Sequence, residues 1–166
     1  MELCAKSATE VVDLLEQGEI SPHDLIDASL ARMAQVEPAV NAVPTVCEER
    51  ARAAADRLMD GPGRPDGLDR GWLAGLPVLI KDLVDVGGVR TTYGSTIFAD
   101  NVPEESTIDV KRLESHGGIV LGKTNTPEFG AGANTFNEVL GTTRNPWDTS
   151  LSCAGSSGGH RAGSAW

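Results

Sequence analysis

Two short aliphatic runs, "LPVLI" at 76–80 and "GIVLG" at 118–122, constrain this chain more than any other feature. Each is nearly continuous in Leu, Ile and Val and is bounded by glycine, the pattern of a strand covered on both faces. Between them lies "STIDVKRLESHGG", with Ser106 as a cap, Asp109 three residues on and Gly117 at the stop, so a helix is predicted there. Strand, helix, strand in that order predicts a βαβ unit and a parallel or mixed sheet.

The first sixty residues read as helices. "SATEVVDLLEQGE" opens on a capping box, Ser7 with Glu10, and ends at Gly18. "SPHDLIDASLARMAQVEP" has Ser21 as cap and Pro22 at the first helical position. Its Leu25, Ile26, Leu30 and Met33 form one face, up to a predicted stop at Pro38. "NAVPTV" is short and β-like, and "CEERARAAADRLMD" is an Ala-rich helix closed by "GPGRPDG". Beyond Lys123 the chain reads mostly as loop, and a loop that long in a compact domain is usually functional or disordered. The predicted class is α/β: N-terminal helices beside the first part of a mixed sheet covered by helices, with 1–166 forming one domain.

Fourteen basic against twenty-four acidic side chains give a net charge of −10, with no basic patch, which disfavours nucleic-acid binding. The first thirty residues lack the basic-then-apolar pattern of a signal peptide, and no run approaches the roughly 20 apolar residues of a membrane span. Three widely spaced cysteines, Cys4, Cys47 and Cys153, fit reduced thiols better than a disulfide framework or zinc site. A cytoplasmic protein without membrane contact is expected.

Lys81 and Lys123, two of only four lysines, stand at the ends of the two aliphatic runs. A lysine carried inward there snorkels out, pairs with an acid, or loses its proton and becomes a general base. For Lys81 the acids at hand are Asp82 and Asp85, and the local pattern leaves ion pair and base both open. "GSSGG" at 155–159 is equally open: a flexible linker by composition, or a segment that brings backbone N–H groups to a ligand. A phosphate loop is disfavoured because His160 and Arg161 follow instead of Lys-Ser or Lys-Thr. His23, His116 and His160 have no spacing that closes a metal site or a Ser-His-Asp arrangement, and read as surface or capping residues.

Taken together, "GLPVLIKDLVDVGGVRTTYGS", "GGIVLGKTNTPEFG", "GTTRNPWD" and "GSSGG", in this order, closely resemble the amidase signature family. The match runs from about Leu73 to Gly159, behind a helical lead-in over 1–60. The resemblance implies hydrolysis of a carboxylic amide through an acyl-serine, by a Ser–cisSer–Lys triad needing no metal or organic cofactor. It places the general base at Lys81 and the cis-serine proton relay at Ser156. Gly130 and Ser156 would contact the substrate, with Gly155, Ser157, Gly158 and Gly159 as the supporting loop. Ala154 replaces a usual glycine. The family's nucleophilic serine lies further along, in another Gly-rich block, and Ser164 does not match that block in spacing or context. The chain is therefore expected to be a truncated amidase domain, nearly inactive alone, with exposed core that favours self-association or a partner chain. Two alternatives are an ammonia-delivering amidase like that of glutamyl-tRNA amidotransferase, and a non-catalytic remnant.

Overall fold

The computed structural model describes residues 3–66, 68 and 71–163; Ser164 lies outside them. The protein is mixed α/β, with five α-helices and seven short strands among the described residues. Helix α1 (Ala8–Glu16) carries the predicted capping box: Ser7 Oγ accepts from Glu10 N–H while the Glu10 carboxylate accepts from Ser7 N–H. Helix α2 (Pro22–Val40) starts on the same device, Ser21 with Asp24. It runs two residues past the predicted stop at Pro38. Pro38 falls in the final turn, where little helix remains to be disturbed, and there Asn41 N–H still reaches Glu37 O at 2.9 Å.

Strand β1 (Thr45–Val46) and helix α3 (Glu48–Asp60) follow, then β2 (Pro77–Lys81), α4 (Ile108–Ser115) and β3 (Ile119–Thr124). The sheet order is β1-β3-β2. Thr45 pairs with Lys123 and Val46 with Gly122, so β1 is antiparallel to β3. Between β2 and β3, Ile119 N–H bonds Leu76 O and Asp82 N–H bonds Thr124 O. Both partners advance together along the chain, so this pair is parallel and closes the predicted βαβ unit in a mixed sheet.

Three local expectations are corrected. Only β3 is buried at every residue; β2 is half-buried throughout, so its aliphatic run does not have both faces covered. Helix α4 starts at Ile108, and the Ser106 hydroxyl, expected to cap it, accepts from Gly87 N–H at 2.9 Å. The stretch beyond Lys123 is not mostly loop. It holds two small antiparallel ribbons, β4 (Phe136–Asn137) with β5 (Gly141–Thr142), and β6 (Arg144–Asn145) with β7 (Asp148–Ser152), before helix α5 (Gly158–Gly163). Asn137 Oδ1 accepts from Val139 and Leu140 N–H and so builds the first turn.

The chain divides into two compact units. Met1–Arg32, Cys47–Val78 and Ile108–Leu121 form the first. It has an aliphatic core that includes Val11, Ile26, Ala51, Ala55, Val110 and Val120, and a half-buried ion pair between Arg50 and Glu114 at 2.7 Å. Met33–Val46, Leu79–Thr107 and Gly122–Trp166 form the second. Its interior holds Val40, Val43, Val86 and Val89, but also fully buried Asp82, Thr91, Thr92, Ser95, Thr135 and Thr143 and the run Lys123–Thr126. Buried polar groups are mostly hydrogen-bonded; the Thr124 hydroxyl is an exception here, and this second unit is where the candidate site residues meet.

Candidate active site

Lys81 is the last residue of β2, and its position is fixed from both directions. The next amide, Asp82 N–H, is bonded to β3 at Thr124 O, and Val84 N–H closes a turn onto Lys81 O at 3.0 Å. The Asp82 carboxylate turns inward and accepts from the Thr92 backbone N–H and from the Thr92 hydroxyl at 2.5 Å. The Lys81 amine lies 3.0 Å from Ser156 Oγ and 3.2 Å from Ser157 Oγ.

The Gly/Ser segment is built in, which removes the linker reading. Thr135 N–H and its hydroxyl both bond Ala154 O, and Gly158 N–H bonds the Thr135 hydroxyl at 3.0 Å. A side chain at Gly158 would collide with Thr135 and Cys153, and one at Gly159 would stand 2.5 Å from Asn125 N. Glycine is required at both for close packing. Ala154 takes a left-handed φ of 62°, and the Gly155–Ser156 peptide bond is cis.

The acids that could have paired with Lys81 are engaged elsewhere. Asp82 stands 3.5 Å from the Lys123 amine, both side chains at most 1% exposed, and Asp85 accepts from the Tyr93 hydroxyl at 2.5 Å. That bond, with burial, pushes the Tyr93 phenol up to about 12. Among the described residues no carboxylate pairs with Lys81, and burial alone pulls its ammonium below the ordinary 10.5. Lys123 donates to Val84 O at 2.8 Å and Thr91 Oγ1 at 2.6 Å. Of the two lysines, one faces hydroxyls and the other is locked to an acid.

Gly130 sits apart from this pair. It closes the 3₁₀ turn Glu128–Gly130 at φ +71°, where an added Cβ would press on Leu83 at 2.6 Å, and no hydrogen bond joins it to Lys81 or Ser156. His23 bonds Asp56, His116 Nδ1 lies 3.1 Å from Gly71 O, and His160 is exposed on α5. No group of three or more His, Cys, Asp or Glu that could hold a metal occurs among the described residues. The sequence reading missed two anchors, Thr135 and Asn125. Their signal was present in "TNTP" and "ANT", polar runs that nevertheless hold these two fully buried residues.

The model of the amidase family matches residues 24–164. The chain belongs to the amidase family. Among amidase relatives, it is 36% identical over 166 residues to a glutamyl-tRNA(Gln) amidotransferase subunit of Caldanaerobacter subterraneus subsp. tengcongensis, covering 98% of this chain and 33% of that one. It is 43% identical over 148 residues to the same-named protein of Prochlorococcus marinus, covering 89% of this chain and 30% of that one. Its fold superposes on a 6-aminohexanoate cyclic dimer hydrolase with a TM-score of 0.84 at 34% identity, over 98% of this chain and 32% of that one. A bacterial aryl acylamidase of the amidase signature family gives 0.83 at 31%, over 95% and 32%. The chain thus spans about a third of the length of these amidases. No described helix is long and apolar enough to cross a membrane.

Proposed function

We propose that this chain carries the base-and-relay half of a site that cleaves carboxylic amides through an acyl-serine. The observation that carries the reading is the Lys81 amine at 3.0 Å from Ser156 Oγ, with no carboxylate partner among the described residues. A neutral Lys81 takes the Ser156 hydroxyl proton as Ser156 takes that of an attacking serine. The serine oxygen bonds the carbonyl carbon. As the tetrahedral adduct collapses, the C–N bond breaks and the leaving nitrogen receives the proton back from Ser156, which recovers one from the Lys81 ammonium. Water then repeats the sequence on the acyl-serine. The attacking serine and the oxyanion donors are supplied by the part of the family fold that the 166 residues do not span, and Gly130 borders the acyl side.

The glutamyl-tRNA(Gln) amidotransferase relatives, at 36% and 43% identity, favour a second reading. In it the same site releases ammonia to a partner protein, in the cytoplasm. A chimera in which this chain replaces the matching third of the Caldanaerobacter protein tests the base and relay. The chimera is expected to release ammonia from an amide, and Lys81→Ala and Ser156→Ala are each expected to lower kcat by at least about a thousandfold with KM little changed. Full activity of Lys81→Ala would return Lys81 to a structural role. Copurification of further amidotransferase components with the chain separates the amidotransferase from a stand-alone amidase.

A further inference from the structure

The mechanism leaves a buried pair of charges unused. Lys123 is fully buried on β3, and the acid it meets, Asp82, is the residue that follows Lys81 in the chain. A buried ion pair is seldom a source of net stability, because desolvating both charges offsets their attraction. Here each partner is further bound, Lys123 by Val84 O and the Thr91 hydroxyl, Asp82 by the Thr92 hydroxyl and amide. That arrangement holds a plus and a minus charge together one residue away from an amine that must give up its proton.

We propose that Lys123 is a positioning residue for Lys81: its ammonium cancels the Asp82 carboxylate, so that Lys81 answers to the Ser156 and Ser157 hydroxyls and not to its neighbour's charge. The inference rests on reading Lys81 as the base. An uncompensated Asp82 would support the Lys81 ammonium, and an uncompensated Lys123 would oppose it. Other ionisable groups of the same unit are Asp85, engaged by Tyr93; Glu128, which accepts from Ser95 at 2.7 Å; and, in the segment around Ser156, Cys153 and exposed His160. None of these offers Lys81 an ion pair among the described residues.

The test is the titration of the Lys81 side-chain nitrogen in the full chain, followed by NMR on lysine-labelled protein and assigned by loss of the signal in Lys81→Arg. Asp82→Asn keeps the shape and removes the negative charge, and is expected to lower the Lys81 midpoint by about one pH unit. Lys123→Gln keeps a hydrogen-bonding side chain and is expected to raise it by about the same amount. The double variant is expected to return to the parent value. A double variant as low as Asp82→Asn alone, or an Asp82→Asn midpoint that does not fall, overturns the proposal. Asp82→Asn, isosteric and still able to bond Thr92, decides it even if Lys123→Gln does not fold. A parent midpoint at the ordinary 10.5 with the predicted variant shifts would instead fail the base reading and leave the charge cancellation standing.

Discussion

The ends of β2 and β3 are written almost alike, "VLIKD" and "VLGKT", and the structure uses their lysines in opposite ways. On the fully buried strand Lys123 meets an acid, a hydroxyl and a carbonyl, and is consumed by the fold. On the half-buried strand Lys81 meets two serine hydroxyls and, among the described residues, no acid. Burial of a strand therefore does not mark a chemical lysine. What sets the two lysines apart is the partner: Asp82 and Asp85 are each taken by another group, and among the described residues no carboxylate is left for Lys81.

The sharpest way to break this contrast is to remove each amine in turn. Lys123→Ala leaves Asp82 buried without its cation, which ordinarily costs about 3–5 kcal/mol. The urea midpoint is expected to fall accordingly. Lys81→Ala leaves no buried charge behind and is expected to hold close to the parent midpoint. Equal losses in the two variants would mean that the lysines are both structural.

The contrast was only half legible in the sequence. Capping boxes at Ser7 and Ser21, the β2–α4–β3 order and the parallel pairing follow from local pattern, because caps and aliphatic runs act over three or four residues. What local pattern does not carry is which side chain lies opposite. Asp82 and Asp85 look like partners for Lys81 because they are close in sequence, yet Asp82, just past the end of β2, is held by Thr92 and Lys123, and Asp85 is held by Tyr93. The half-burial of β2 was likewise hidden, since a run of Leu, Val and Ile reads the same whether one face or two are covered. "GSSGG" was ambiguous for the same reason: Thr135 and Asn125, which clamp it, lie some twenty residues and more upstream.

That clamp gives the next test, on the hydroxyl side of the contrast. Gly159→Ala would drive a methyl group into the Asn125 amide at 2.5 Å and Ala42 O at 2.8 Å. Backbone cannot yield as a flexible side chain does, so about 1–3 kcal/mol of stability is expected to be lost. The Lys81 nitrogen resonance is expected to shift as Ser156 moves. An unchanged resonance in a destabilised variant would mean the clamp holds the chain but not the hydroxyl.

The engagement of Asp85 can be read by spectroscopy. Tyr93 is the only tyrosine, so phenolate absorbance reports it alone, and the expected midpoint is about 12, returning toward 10 in Asp85→Asn. A raised phenol adds stability that is complete below pH 10 and is lost as pH climbs through 12. A parent midpoint near 10 would mean that Asp85 is available to Lys81, and the contrast between the two lysines would weaken.

The smallest expected effect concerns Lys81 alone, and its size depends on pH. Burial lowers the Lys81 titration in the folded chain below its ordinary 10.5, so the charged form is penalised by folding. That penalty is full below the folded midpoint and vanishes once pH exceeds 10.5, where both states are neutral, so the parent gains stability as pH rises through this window. Lys81→Met carries no such charge. Relative to the parent it is expected to lose ground over the same window, by an amount that solvent screening keeps small. Urea unfolding of both proteins at about pH 7 and about pH 11 measures the difference, and a gap that is constant across that range would mean that Lys81 titrates as an ordinary surface lysine.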